Sequence, residues 1–249
     1  MKPQINKQRV LEGGLRAILL AATMLVCAGP APAAEEPGAK QLKNPKIIPP
    51  GTIFRGLTYG EWGAQWWKAA FSIPVVAGDH PLFSGGAFGE HNGVVFLAAV
   101  GGGATIAVTI PDGSAIFVPV INTECSVLEP DPFHGDNEAG LRACANDHID
   151  HTSGRFAMID GVPVKNLDAY RVESPLFEFG PLPADNLFAF LGLDAPAGTT
   201  SLSVDAGVYV LVAPLTIGYH MIQVKGTADD LGFSFDTTFN ITVTPGRNP

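Results

Sequence analysis

The stretch Phe233–Thr244 reads FSFDTTFNITVT, and apolar and polar residues alternate along it. A β-strand has a side-chain period of two, so this pattern predicts a strand with one face in a core and the other in water. Such a strand needs partner strands and a second layer over its apolar face. The rest of the chain is therefore expected to supply further strands. The apolar positions are Phe233, Phe235, Phe239, Ile241 and Val243.

The start of the chain has the layout of a secretory signal peptide. A basic beginning is followed by the apolar run 17–28 and by small residues that end at Ala34. We expect cleavage near Ala33 and a secreted or periplasmic protein. Acylation of Cys27 is disfavoured, because Val26 is bulkier than the small residue expected before a lipidated cysteine. The basic residues are Lys2, Lys7, Arg9 and Arg16.

The expected mature chain, residues 34–249, is strongly acidic. It keeps 11 of the 15 Lys and Arg and 23 of the 24 Asp and Glu, which gives a net charge of −12. This charge argues against binding to nucleic acid or to anionic membrane surfaces. No apolar run in this part is long enough to predict a transmembrane segment.

The pattern of the remaining chain predicts one domain. Residues 34–56 read as a flexible lead-in rich in Pro, Gly and Lys. Residues 57–249 are expected to form a single, mainly antiparallel β-sandwich, immunoglobulin-like or jelly-roll-like, with two accessory helices near 60–72 and 137–150. Within it, 105–110 and 115–121 are expected to pair as a hairpin through the turn Pro111-Asp112-Gly113.

The first predicted helix carries all three tryptophans of the chain, Trp62, Trp66 and Trp67. Thr58 and Glu61 have capping-box spacing, and Pro74 prevents continuation. The i, i+4 spacing of Trp62 and Trp66 favours packing against the β-structure. The alternative is an exposed platform on which sugars stack.

The second predicted helix lies in the most polar part of the chain, residues 129–151, and Asp136 or Asn137 can cap it. It carries Asp147-His148-Ile149-Asp150-His151 near its end, and Gly154 is expected to end it. On a helix His148 and His151 lie about one turn apart and could share a zinc ion, with Asp147 and His134 as further ligands. The other interpretation is a half-buried His148 beside acidic residues that only solvate the helix end. No cofactor is predicted, and zinc at these residues is the alternative.

Two cysteines, Cys125 and Cys144, remain after signal cleavage. An even pair in an exported chain is more often bridged than free. Cys125 follows a predicted strand, and Cys144 lies on the inner face of the predicted helix. We therefore expect a Cys125–Cys144 disulfide that joins the helix to the sheet.

Several motifs stand out along the chain: Tyr59-Gly60-Glu61-Trp62 with Trp66-Trp67 and Phe71-Ser72-Ile73-Pro74, then Pro119–Cys125, Ile159-Asp160-Gly161 and Tyr170–Phe177. Together they resemble a family of bacterial exported proteins without an assigned activity. Separately, Pro214–Val224 is similar to the penultimate strand of immunoglobulin-like sandwiches. Neither resemblance implies a reaction.

These observations favour an exported binding or structural module whose ligand is unknown. The alternative is a secreted hydrolase, metal-dependent or carboxylate-based, centred on residues 131–151. Acidic residues are plentiful there, but nothing in the sequence selects a catalytic pair.

Overall fold

The computed structural model describes residues 47–246, which lie within the compact unit Gln41–Pro249. The predicted signal peptide, 1–33, lies outside the described residues. The strands are β1 Gly86–His91, β2 Val94–Ala98, β3 Ala104–Pro111, β4 Ala115–Ser126, β5 Thr152–Ile159, β6 Val162–Pro163, β7 Arg171–Glu173, β8 Phe177–Phe179, β9 Ser201–Val212, β10 Gly218–Ala228 and β11 Phe233–Thr244. The helices are α1 Tyr59–Phe71, α2 Pro81–Ser84, α3 Glu138–Asp150 and α4 Leu187–Leu191, with a short 3-10 helix at Leu167–Tyr170.

The strands form two packed sheets, so the predicted mainly β sandwich is confirmed. The first sheet has the order β1-β2-β4-β9-β7, and β8 also pairs with β9. The second has the order β3-β11-β10-β5-β6. Most neighbours are antiparallel, but β2 runs parallel to β4 and β3 runs parallel to β11.

The strand predicted from FSFDTTFNITVT is β11, with the predicted bounds. Phe239, Ile241 and Val243 are buried in the main core, as the alternation indicates. Phe233 and Phe235 are more exposed, because this end of the strand extends beyond the core to a cavity. The strand that decides the fold therefore also reaches the candidate site.

The predicted hairpin between β3 and β4 is wrong. β3 pairs with β11 in the second sheet, whereas β4 pairs with β2 and β9 in the first. The turn at Pro111-Asp112-Gly113 thus crosses between the sheets. The burial patterns agree with this placement, because β3 alternates along its length while β4 is buried on both faces.

The two predicted helices are α1 and α3, and both begin at the expected caps. Thr58 and Glu61 form the capping box of α1, and Asn137 caps α3. Gly154 does not end α3 as predicted, since the helix ends at Asp150 and Gly154 lies within β5. The described part of the lead-in is also not free, because Ile47 pairs with Val212 of β9.

No helix within residues 47–246 combines the length and the apolar character that are needed to cross a bilayer.

Candidate functional site

The candidate site lies along one edge of β4. The parallel strand β2 pairs with β4 only from Ala115 to Phe117. Beyond that point β4 pairs only with β9 among the described strands. Pro119, which has no backbone N–H to donate, stands on this stretch. The loop 133–135 covers this edge only at Ser126, so the stretch of β4 before Ser126 is left to line a cavity.

We call this space the β4 cavity; it has a volume of about 240 Å³. Trp67 and Phe71 of α1, together with Phe188 of α4, contribute to one wall. His148 and Ile149 of α3 contribute to another. A second cavity of about 180 Å³ adjoins it and shares Trp67, Asn122 and Phe235 with it.

The rim of the β4 cavity is apolar and exposed. Leu191, Leu231 and Phe233 line the cavity, yet they are 60%, 43% and 47% exposed. Phe83 and Phe190 are also exposed, and their rings contact each other with 5.8 Å between the centroids. Large apolar side chains around an opening are typical of a ligand or interaction site.

A strip of polar side chains runs along one face of β4 and β9. Glu124 lies opposite Asp205 in the register, and Ser126 lies opposite Ser203. Side chains on directly opposed residues share a face and approach closely, so two carboxyl groups here are unfavourable as charges. Glu124, Ser126, Ser203 and Asp205 are all buried.

Glu124 and Glu129 form what we call the acid pair. Both line the β4 cavity, and their carboxyl groups are within hydrogen-bonding reach of each other. Ser203 donates a short hydrogen bond to Glu124, and Ser126 Oγ donates to Glu129 Oε2 at 2.9 Å. The groups that hold the pair are therefore neutral hydroxyls.

Burial raises the pKa of Glu124 well above its ordinary value, and the neighbouring Glu129 raises it further. Burial also raises the pKa of Glu129, although its hydrogen bonds with Glu124 and Ser126 oppose the shift. Two adjacent carboxyl groups in a desolvated site cannot both ionise easily. The pair therefore retains a proton more readily than exposed glutamates do.

Asp205 lies beneath α1 on the same polar strip. Its Oδ1 accepts hydrogen bonds from Trp67 Nε1 at 2.9 Å and from the Tyr209 hydroxyl at 2.5 Å. Burial raises the pKa of Asp205 to about 7. Across residues 47–246, the buried side-chain atoms without a hydrogen-bond partner are Asp205 Oδ2 and Asn122 Nδ2. Asn122 also lines the cavity.

The predicted disulfide is present. Cys125 of β4 and Cys144 of α3 are bonded, and both sulfurs lie within 4.8 Å of a ring nitrogen of His148. This is the one group of three potential metal ligands found among the described residues, but its sulfurs are joined to each other. His148 also has partners at both ring nitrogens, Asp230 Oδ2 at 2.6 Å and the Pro132 carbonyl oxygen at 3.1 Å.

The four residues predicted as zinc ligands lie in different surroundings. His148 is buried against Asp230, which is deeper than the half-buried position of the second interpretation. His151 is exposed, and its Nδ1 contacts the Asp147 carbonyl oxygen at 2.8 Å and lies 3.8 Å from the Asp147 carboxylate. His134 instead contacts the Glu129 carbonyl oxygen and the Asp136 carboxylate.

Glu124 and Asp205 are themselves a signal for the site in the sequence. The predicted strand 115–121 ends before Glu124, whereas β4 continues to Ser126. Asp205 likewise stands within a long strand that is almost entirely buried. A carboxyl group inside an otherwise apolar strand is costly to bury, so it marks a position selected for something other than packing.

No family model, curated protein or solved structure matches this chain.

Proposed function

We propose that this protein is an exported binding module that holds a small, largely apolar ligand in the β4 cavity. The observation that carries the proposal is an apolar cavity with an exposed apolar rim and an acid pair in its wall. Binding sites for small molecules combine mostly apolar walls with a few placed polar groups. A purely structural domain would gain nothing from burying Glu124 without a charged partner.

Export is a separate part of the proposal. It is supported by the signal-like residues 1–33 and by the Cys125–Cys144 disulfide, since such bonds persist in oxidising compartments. Mass spectrometry of protein recovered from the periplasm or medium is expected to show a mature chain that begins at Ala34. Uncleaved protein retained in the cytoplasm would contradict it.

A carboxylate-based hydrolase is the second candidate, and the acid pair is the observation that favours it. Paired carboxyl groups with separated pKa values can serve as general acid and base. Within the region 131–151, the acidic residues Asp131, Asp136, Asp147 and Asp150 are exposed. The two candidates differ in outcome, because a binding module releases its ligand unchanged and a hydrolase releases cleavage products, which mass spectrometry distinguishes.

Titration with a neutral naphthalene fluorophore, N-phenyl-1-naphthylamine, tests the binding proposal. Trp67 lines the cavity, so a bound naphthalene is expected to quench tryptophan fluorescence by energy transfer. Absence of saturable binding would overturn the proposed function.

Two exposed leucines provide a matched pair of variants for this titration. Leu231→Glu places a charge on the cavity rim, whereas Leu202→Glu alters a residue of similar exposure, 45%, on β9 away from the β4 cavity. We expect Leu231→Glu to weaken binding about tenfold and Leu202→Glu to leave it unchanged. Because both side chains are exposed, neither variant is expected to unfold the protein.

A further inference from the structure

We propose that the ligand of the β4 cavity carries a positively charged amine, held against the carboxyl groups of Glu124 and Glu129. This inference rests on the proposed binding function and names the chemical class of the ligand. It follows from the charges, the rings and the hydrogen bonds that surround the acid pair.

The first observation is a charge imbalance. Among the described residues that line the cavity, the ionisable side chains are Glu124, Glu129 and His148, with no Lys or Arg. His148 has its own acidic partner, Asp230. Asp205, directly opposite Glu124, adds another carboxyl group behind the wall. Buried carboxylates are ordinarily paired with a cation, and residues 47–246 place no Lys or Arg against the acid pair.

The second observation is the aromatic lining. The rings of Trp67, Phe71, Phe133, Phe233 and Phe235 all contribute to the cavity wall. The electron-rich faces of such rings attract a cation, most strongly where the site is desolvated. An amine with an apolar body would satisfy both parts of the cavity, since its body contacts the rings and its charge faces the acids.

A ligand of the opposite charge does not fit these surroundings. A carboxylate in the cavity would lie beside Glu124 and Glu129 and near Asp205, all of which are acidic. Neighbouring negative charges repel each other, and the low polarity of a buried cavity strengthens this repulsion. An alcohol could donate one hydrogen bond to the acid pair, but it carries no positive charge to balance the carboxylates.

Binding of an amine is expected to release a proton. In the free protein, burial raises the pKa of both Glu124 and Glu129, so the pair holds a proton more readily than exposed glutamates do. An ammonium group stabilises the ionised carboxylates and therefore lowers both values. A primary amine stays charged to about pH 10. Amine affinity is thus expected to fall as the pH is lowered and the pair takes up protons.

The groups that face the acid pair decide how this titration is interpreted. Asp205 and Tyr209 approach from β9, and His148 with its partner Asp230 approaches from the α3 side of the cavity. Asp205 acts in the same direction as the pair, because burial raises its pKa as well. The variants below therefore alter the pair and leave Asp205 in place.

Three probes that carry different polar groups on one phenylethyl group test the inference: 2-phenylethylamine, 2-phenylethanol and 3-phenylpropanoate. Isothermal titration calorimetry at pH 7 in two buffers of different ionisation enthalpy measures affinity and proton release together. We expect the amine to bind at least about tenfold more tightly than the alcohol, to release protons, and to bind far better than the carboxylate. Equal affinity of amine and alcohol, without proton release, would overturn the amine.

A glutamine substitution identifies the groups responsible. Glu129→Gln is expected to remove the preference for the amine while alcohol binding persists, and Glu124→Gln is a second variant with the same expectation. Glu178→Gln, an exposed position on β8, is the matched control and is expected to keep the preference. Preference retained in both pair variants would refute the role of the acids.

The naphthalene titration separates the two proposals. If the neutral fluorophore binds but the amine is not preferred, the amine inference alone fails. If the fluorophore does not bind, the proposed binding function fails, and the amine inference fails with it.

Discussion

Helices α1 and α3 cover opposite faces of the same two strands, yet they are held there by different forces. α1 packs Trp62 and Trp66 into the main core, where both are almost fully buried. α3 packs smaller residues, Leu141, Ala145 and Ile149, into a separate small cluster with β4 and β9. A disulfide bonds α3 covalently to β4, and ion pairs stabilise the helix further.

This contrast indicates that the two walls of the β4 cavity differ in stability. Burial of large aromatic area contributes directly to global folding, so α1 is expected to open only when the whole domain unfolds. A small cluster under a covalent tether contributes less, so α3 is expected to open locally. The α3 wall of the cavity is therefore expected to open more easily than the α1 wall.

The most severe test of the contrast is Trp66→Ala in α1. Trp66 is 2% exposed and its Nε1 donates to the Leu97 carbonyl oxygen at 2.9 Å. Emptying a site of this size is expected to lower the free energy of unfolding by about 3 to 5 kcal/mol. Urea denaturation measures it, with Tyr219→Ala, 88% exposed, as a control that should change little.

An unchanged free energy of unfolding combined with lost ligand binding would reverse this interpretation. In that case the tryptophans would act as a binding platform, the alternative considered from the sequence. The burial of Trp62 and Trp66 argues against a platform at these two positions, whereas the half-buried Trp67 faces the cavity.

Removal of the disulfide is the corresponding test for α3. Loss of a bridge with a sequence separation of 19 residues is expected to cost about 3 kcal/mol. In the reduced protein, hydrogen exchange should accelerate in α3 while the amides of β11 stay protected. Simultaneous loss of protection in both would mean that α3 is not a separable unit. Thiol titration of the mature protein, unfolded but not reduced, should find no free thiol.

The features that were predicted correctly from the sequence are those in which local pattern and final environment agree. The alternation of β11, the caps of α1 and α3, and the cysteine pair each depend on a few neighbouring residues or on composition. The prediction of a β3–β4 hairpin was wrong because a short turn can also cross between two sheets. The turn residues do not specify whether the flanking strands pair with each other or with strands of different sheets. Partner choice is decided by burial over the whole sheet.

The candidate site was missed for a related reason. Glu124 and Asp205 are 81 positions apart in sequence number and meet only through the β4–β9 register, while Glu129 reaches the cavity from the loop after β4. The predicted cluster at 131–151 was attractive because its polar residues are close in sequence. In the structure most of these polar residues are simply exposed to solvent.

The pH dependence of stability tests the polar contact beneath α1. Burial raises the pKa of Asp205 from 3.8 to about 7, so the folded state prefers the protonated acid. The protonated acid stabilises the fold completely at pH values below 3.8, the pKa of the unfolded state, and this stabilisation is lost as the pH rises through about 7. The free energy of unfolding changes by at most about 1.4 kcal/mol per pH unit in this range. Asp205→Asn should remove this component from urea denaturation series between pH 4 and 8. Identical slopes in variant and wild type would exclude Asp205 as its source.

The smallest expected effect belongs to the ion pairs of α3. Arg142 contacts Glu138 within the helix and Glu173 on β7, and it donates to the Ser174 carbonyl oxygen at 3.1 Å. Its side chain is 31% exposed, so solvent and salt screen these pairs. Arg142→Ala is expected to lower the free energy of local opening of α3 by about 0.5 to 1 kcal/mol.

Hydrogen exchange in α3, measured at low and high sodium chloride, distinguishes this contribution from packing. High salt should accelerate exchange in wild-type α3 towards the rate of the Arg142→Ala variant, while α1, which is held by apolar burial, should not respond. Arg155→Ala breaks a pair between β5 and Asp168 that includes no residue of α1 or α3, so it should leave α3 unchanged. If α1 and α3 respond equally to salt, the difference between the two helices is not one of apolar against ionic attachment. If only α3 responds, the two walls of the β4 cavity can be loosened independently.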